Sequence, residues 1–214
     1  MNHRILHVLS RELQDHLSSH RYSKIIDTIN MGMAAAYMSV MMELNSKQDL
    51  FSIDEKYLKT LYLSKTAHGR MLLECTFLML LDHDKTIETV KVYSNHLAIA
   101  GQLKNDIYDF TKHKQYRGLS DLKQGHITWP LYLLIKSLTW KERKKFLRDL
   151  KDKDYESLIL LFREKKIIEE VLKLIDFHVA TAKTVIKNKF PKRVETILET
   201  WAEGNRHFSR EPKL

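Results

Sequence analysis

Apolar residues recur every three or four positions along most of the chain, and no segment alternates with period two, so the pattern predicts helices and no strands. The predicted helices run over about 4–18, 22–44, 54–81, 85–111, 128–137, 140–149, 154–161, 166–188 and 191–207. Polar breaks separate them at 45-NSKQD-49, at 82-DHDK-85 and at 112-KHKQYRGLSDLKQG-125, the last being the longest stretch without apolar periodicity. Thr139 followed three residues on by Glu142 predicts a capping box, and Pro191 suits a first helical turn. Met31, Met33, Met38, Met41 and Met42 fall near helical spacing and are expected to fill core.

Composition supports this picture. With 214 residues, 43% hydrophobic and 29% charged, the chain is expected to form one domain over 1–214. Only 6 Gly and 3 Pro punctuate it, which favours long helices joined by short loops. The single cysteine, Cys75, sits in 71-MLLECTFLMLL-81, so an intrachain disulfide and a cysteine-based metal site are both excluded, and a reduced, cytoplasmic setting is expected. That apolar run is interrupted by Glu74 and falls short of the roughly 20 residues a membrane span needs. The stretch 1-MNHRILHVLSRELQDHL-17 has charges throughout and lacks the pattern of a secretory signal, so a soluble protein without a transmembrane segment is expected.

Net charge is +9, which points to an anionic partner: nucleic acid, a membrane surface or a phosphorylated ligand. In 141-KERKKFLRDLKDK-153 the bases alternate with Glu142, Asp149 and Asp152, as on an ordinary solvated helix face, so a basic helical nucleic-acid or membrane-surface module is the lesser alternative.

The stretch 101-GQLKNDIYDF-110 places Gln102, Asp106 and Asp109 at i, i+4 and i+7 of a helix, with Asn105 beside them. Neighbouring carboxylates repel unless something positive stands between them. A hard divalent ion such as Mg²⁺ suits oxygen ligands of this kind, held by one or two carboxylates together with phosphate oxygens and water. The plainer alternative is a pair of solvated acids neutralised by Lys104 and Lys112. The segment 117-RGLSDLKQGHITWP-130 then brings Arg117, Lys123, Gly118, Gly125 and His126 together, and cations with exposed backbone amides suit phosphate.

Together, 102-QLKNDIYDF-110 and 118-GLSDLKQGHITWPLYLL-134 resemble the second aspartate-rich region of the trans-isoprenyl diphosphate synthases, the polyprenyl synthetase family, which reads Q-x-x-D-D-x-x-D-F and then G-[ST]-D-[LI]-x-x-[GN]-K-x-[ST]-x-P. Gln102, Asp106, Asp109, Phe110, Ser120, Asp121, Leu122, Gly125, Thr128 and Pro130 match; Asn105 stands for the first Asp and His126 for the Lys. Lys65 and Thr66, in 57-YLKTLYLSKTAHGRMLLECTFLMLL-81, fall where the family carries a Lys-Thr pair. The resemblance implies an all-α isoprenoid synthase fold, an antiparallel helical bundle around a central cavity, incomplete at the N-terminus. It implies Mg²⁺ as cofactor, with Asn105, Asp106 and Asp109 as its ligands, and Lys65, Lys104, Arg117 and His126 as contacts of the substrate diphosphate. Lys65, Thr66 and Gln102 would take catalytic positions. The implied substrates are a prenyl diphosphate and isopentenyl diphosphate, condensed through an allylic carbocation.

The family's first aspartate-rich motif, D-D-x-x-D, is absent, and after Gly32 come Met33 and Ala36 where the family has Gln and Asp. The chain is therefore expected to begin about one helix after that motif. Three explanations stand: a fragment, a subunit whose homodimeric or heteromeric partner supplies the missing acids, or a non-catalytic relative. Asp109 and His113 occupy the positions that in class I terpene cyclases carry Ser or Thr and Glu, so the synthase form fits better. The branch of the superfamily that prenylates competence-pheromone peptides is also compatible with Asn105 and His126.

Overall fold

A computed structural model describes residues 17–46, 50–80, 84–109 and 120–207. The described residues form ten helices and no strand: α1 Ser19–Ser46, α2 Glu55–Lys65, α3 Ala67–Leu80, α4 Asp84–Tyr108, α5 Ser120–Gln124, α6 Trp129–Ser137, α7 Trp140–Lys151, α8 Tyr155–Glu164, α9 Ile167–Ile186 and α10 Lys192–Glu203. The predicted helix over 4–18 lies almost wholly outside them.

The most extensive packing joins α4 to α9. Their periodic apolar stripes, Val90, Tyr93, Ala100, Leu103 and Ile107 on α4 and Ile168, Val171, Ile175, Val179 and Ala182 on α9, are buried in one core. Two polar bonds fix the register of α4: the Tyr93 hydroxyl donates to the Leu198 carbonyl of α10 at 2.7 Å, and His96 Nδ1 meets His178 Nδ1 of α9 at 2.9 Å. On the other side, α1 packs along α2 and α3. Gly32 allows that approach, since a Cβ there would stand 2.8 Å from Met71 Sδ and 2.9 Å from its Cβ.

The helix expected over 54–81 is two helices that meet at Thr66. The Thr66 hydroxyl donates to the Tyr62 carbonyl at 2.8 Å, and Arg70 Nη2 donates to the Leu63 carbonyl at 3.0 Å. Side chains thus serve carbonyls around the interruption, a competition for backbone partners that bends helices. The stretch 112–125 was expected as loop, and its end folds as the short α5. The capping box forms as predicted: Thr139 N donates to Glu142 Oε2 at 2.7 Å and Glu142 N to Thr139 Oγ1 at 3.4 Å.

The methionines correct an expectation. Met31, Met38 and Met41 are exposed, together with Tyr37, Val40 and Leu44, while Met42 packs half-buried against the core. The helix is apolar on two faces, and among the described residues α2 and α3 pack on one of them. By length and composition α1 is also the one described helix able to cross a membrane, longer than the 71–81 run singled out in the sequence; in the fold it lies against α2 and α3.

Candidate functional site

Two stripes run down the C-terminal half of α4, and they have different fates. Ile99, Leu103 and Asp106, at i, i+4 and i+7, face the interior and are buried. Ala98, Gly101, Gln102, Asn105 and Tyr108 face a cavity of about 520 Å³ shared with Thr66, Arg70 and Leu73 of α2–α3 and with Trp201 and Asn205 at the end of α10. Its size lies within the range of small-molecule sites, and its walls mix apolar surface with a few polar groups.

Asp106 is 2% exposed and is held from three sides. The Tyr62 hydroxyl donates to its Oδ2, Gln102 Nε2 donates to its Oδ1 at 3.0 Å, and the Trp129 amide lies 3.3 Å from Oδ2. The same amide donates to the Tyr62 oxygen at 2.7 Å, so hydroxyl, carboxyl and amide form one buried network joining α2, α4 and α6. Burial pushes the Asp106 carboxyl up to about 7, although donation from Tyr62 and Gln102 opposes the shift. The Tyr62 hydroxyl is pushed well above its ordinary range by burial and by the neighbouring carboxylate.

Asp109 is also buried and accepts the Asp121 amide at 3.0 Å, which anchors the start of α5 to the end of α4. Asp106, Asp109 and Asp121 line a separate, much smaller cavity with Leu122, Thr128, Leu131 and Phe162.

The structure therefore divides the predicted site. Thr66, Gln102, Lys104 and Asn105 line the large cavity; Lys65, Asp106, Asp109 and His126 do not. Lys65 Nζ pairs with Glu43 Oε1 of α1 at 2.5 Å, because the last turn of α2 turns it toward that helix, yet its charge still lowers the Asp106 value slightly. His126 Nδ1 lies 3.4 Å from Asp121 Oδ1. Lys104 Nζ donates to the Gly204 and His207 carbonyls at 2.7 and 2.6 Å, a cation at a helix C-terminus. Arg117 lies outside the described residues.

The donors of the large cavity can be set against what Mg²⁺ needs. The cavity presents the amides of Gln102, Asn105 and Asn205 and the Thr66 hydroxyl, but no carboxylate, and among the described residues no group of three or more His, Cys, Asp or Glu is arranged to hold a metal. Mg²⁺ is held by one or two carboxylates beside phosphate oxygens. The described lining of the large cavity does not supply that set; the carboxylates Asp106, Asp109 and Asp121 line the small cavity instead.

Three participants escaped the sequence reading: Tyr62, Arg70 and the Trp201–Asn205 end of α10. Tyr62 meets Asp106 across 44 positions of sequence, and α10 closes the cavity from a hundred residues away, so no local pattern marks them. Arg70 had a signal, one turn after Thr66 on the same helix face.

The fold is shared with solved structures. A geranylgeranyl pyrophosphate synthetase from Pyrococcus horikoshii Ot3 superimposes with a TM-score of 0.78 at 15% identity, covering 91% of this chain and 61% of its own. A decaprenyl diphosphate synthase from Rhodobacter capsulatus gives 0.78 at 18% identity, covering 88% and 61%. A polyprenyl synthase from Caulobacter crescentus CB15, complexed with calcium and isoprenyl diphosphate, gives 0.75 at 18% identity, covering 86% and 58%. This chain thus spans less than two thirds of the length of these neighbours. No curated protein matches it in sequence. The family model for polyprenyl synthetases, however, matches residues 5–163, from before α1 to the last turn of α8 and through every motif described above, and the chain belongs to the polyprenyl synthetase family.

Proposed function

We propose that this chain is a prenyltransferase-type protein of isoprenoid biosynthesis that takes an allylic prenyl diphosphate into the cavity between α3, α4 and α10. One observation carries this reading: Thr66, remote in sequence, meets Gln102 and Asn105 of α4 on one cavity of about 520 Å³, and all three belong to positions of the family pattern. The tail would lie against Leu73, Leu97 and Trp201, and the diphosphate at the Asn105 end, where Lys104 adds positive charge. The Thr66 hydroxyl and Gln102 amide supply fixed dipoles beside the carbon that becomes cationic as diphosphate departs. In the full reaction the alkene of isopentenyl diphosphate attacks that carbon, a carbon–carbon bond forms and a proton is lost.

The cavity presents no carboxylate of its own, so we place the metal-binding acids of a complete Mg²⁺-dependent synthase on a partner, a second copy or a different subunit. A second reading, a non-catalytic subunit that retains the ligand cavity, is favoured by the burial of Asp106. A cytoplasmic location goes with either.

Calorimetry of farnesyl diphosphate and of pyrophosphate against the full chain tests the proposal. Saturable binding, weakened at least about tenfold by Gln102→Leu, is expected. Absence of binding by both ligands sinks it.

A further inference from the structure

The large cavity is not apolar along its whole length. Arg70 lines it one helical turn below Thr66, and its guanidinium is fixed in place: Nη1 donates to Asn95 Oδ1 at 2.5 Å and Nη2 to the Leu63 carbonyl at 3.0 Å. Glu74 follows one turn on, and Ser94, also in the cavity wall, donates to it at 3.4 Å. Arg70 and Ser94 thus make a polar belt in the wall of the lower cavity, held from behind by Asn95 and Glu74. The Asn95 bond sets the level of Arg70 along α4. Gln102 stands seven residues further on, about 10 Å away at 1.5 Å per residue, and Asn105 about 15 Å away.

A hydrocarbon tail reaching past that level must displace water from the Arg70 guanidinium without offering it a hydrogen bond, which opposes the gain from burying apolar surface. Resting on the prenyl-diphosphate reading of this cavity, we propose that Arg70 ends its apolar part and makes it selective for allylic diphosphates with short tails, about 10 Å or less beyond the Gln102 level. Arg70 is then a specificity-determining residue, in addition to bracing the junction of α2 and α3 through Leu63.

The experiment is an affinity series by calorimetry on the full chain, using pyrophosphate and dimethylallyl, geranyl and geranylgeranyl diphosphates below their micelle concentrations. Affinity is expected to rise from dimethylallyl to geranyl and then level off, within about threefold, at geranylgeranyl. An unobstructed apolar groove would instead add at least about tenfold per isoprene unit. In Arg70→Met the gain should reappear, at least about tenfold for geranylgeranyl over geranyl, with pyrophosphate affinity held within about threefold. A purely structural role would lower all four affinities together and leave their ratios unchanged, which overturns the proposal. If Arg70→Met does not fold, the wild-type series decides alone: affinity that keeps rising to geranylgeranyl refutes the polar belt as a limit. Failure of every ligand to bind, pyrophosphate included, removes the prenyl-diphosphate reading itself and the selectivity with it.

Discussion

Removing one oxygen atom tests the buried network under the cavity. In Tyr62→Phe the ring remains, and with it the edge-on packing against Trp129 at 5.4 Å between centroids, while both bonds of the hydroxyl disappear. Tyr62 and Trp129 are 1% and 3% exposed, so water does not replace the lost partner. A net hydrogen bond is worth about 1 kcal/mol and one to a charged group about 1.5–3 kcal/mol. The Trp129 amide keeps a fallback at Asp106 Oδ2, 3.3 Å away, which trims the loss. The sum is roughly 2–4 kcal/mol, which for a chain of this size lowers Tm by about 5–15 °C at 2–4 °C per kcal/mol. Urea unfolding with an unchanged m value is the assay. The Asp106 carboxyl loses a donor that favours its charged form, so its titration moves further up from about 7. A loss below about 0.5 kcal/mol would refute the network as a structural element.

Three further outcomes follow from named contacts. Burial and the neighbouring His96 push His178 down to about 4, so below pH 6.5 the unfolded chain binds a proton the folded chain refuses; stability from this group, full above pH 6.5, is lost as pH falls toward 4, and His178→Gln should flatten that limb of a pH series by about 3 kcal/mol. Gly32→Ala forces a methyl group to within 2.8 Å of Met71 Sδ and should cost about 1–3 kcal/mol in thermal unfolding, partly restored by Met71→Ala in a double-mutant cycle. Thr139→Ala removes the capping box of α7 and should lower stability by about 1 kcal/mol with no change in ligand affinity by calorimetry.

Placement of the longer helices was legible because each carries its own stripe of apolar residues, whereas the five-residue α5, with Leu122 as its one apolar residue, shows no period. The break at Thr66 was not legible, since a continuous 3.6-residue period runs across it and the cause is side chains bonding to carbonyls. The family pattern was legible in the sequence but the arrangement of its residues was not: Thr66, Gln102, Lys104 and Asn105 line the large cavity, and Lys65, Asp106, Asp109 and His126 do not. Gln102, Asp106 and Asp109 share a helix face by spacing, yet Asp106 belongs equally to the stripe of Ile99 and Leu103, and the interior claims that stripe. Reading Asp106 against its apolar neighbours rather than against Gln102 would have turned it inward. What Asp106 meets there, Tyr62 and the Trp129 amide, depends on how α2 and α6 pack and is written in no local pattern.

On the proposed reading the cavity takes the ligand, while Asn105 presents an amide where the family pattern has a carboxylate and Asp106 is buried in the interior. Asn105 is exposed at the cavity wall, so Asn105→Asp adds a carboxylate there with no buried contact to break. The direct measurement is pyrophosphate affinity by calorimetry, with Mg²⁺ and with a chelator, for wild type, Asn105→Asp and Asp106→Asn. The account predicts that Mg²⁺ changes wild-type affinity by less than about threefold and raises that of Asn105→Asp by at least about tenfold. Strong Mg²⁺ dependence in the wild type, abolished by Asp106→Asn in a variant that still folds, would contradict it.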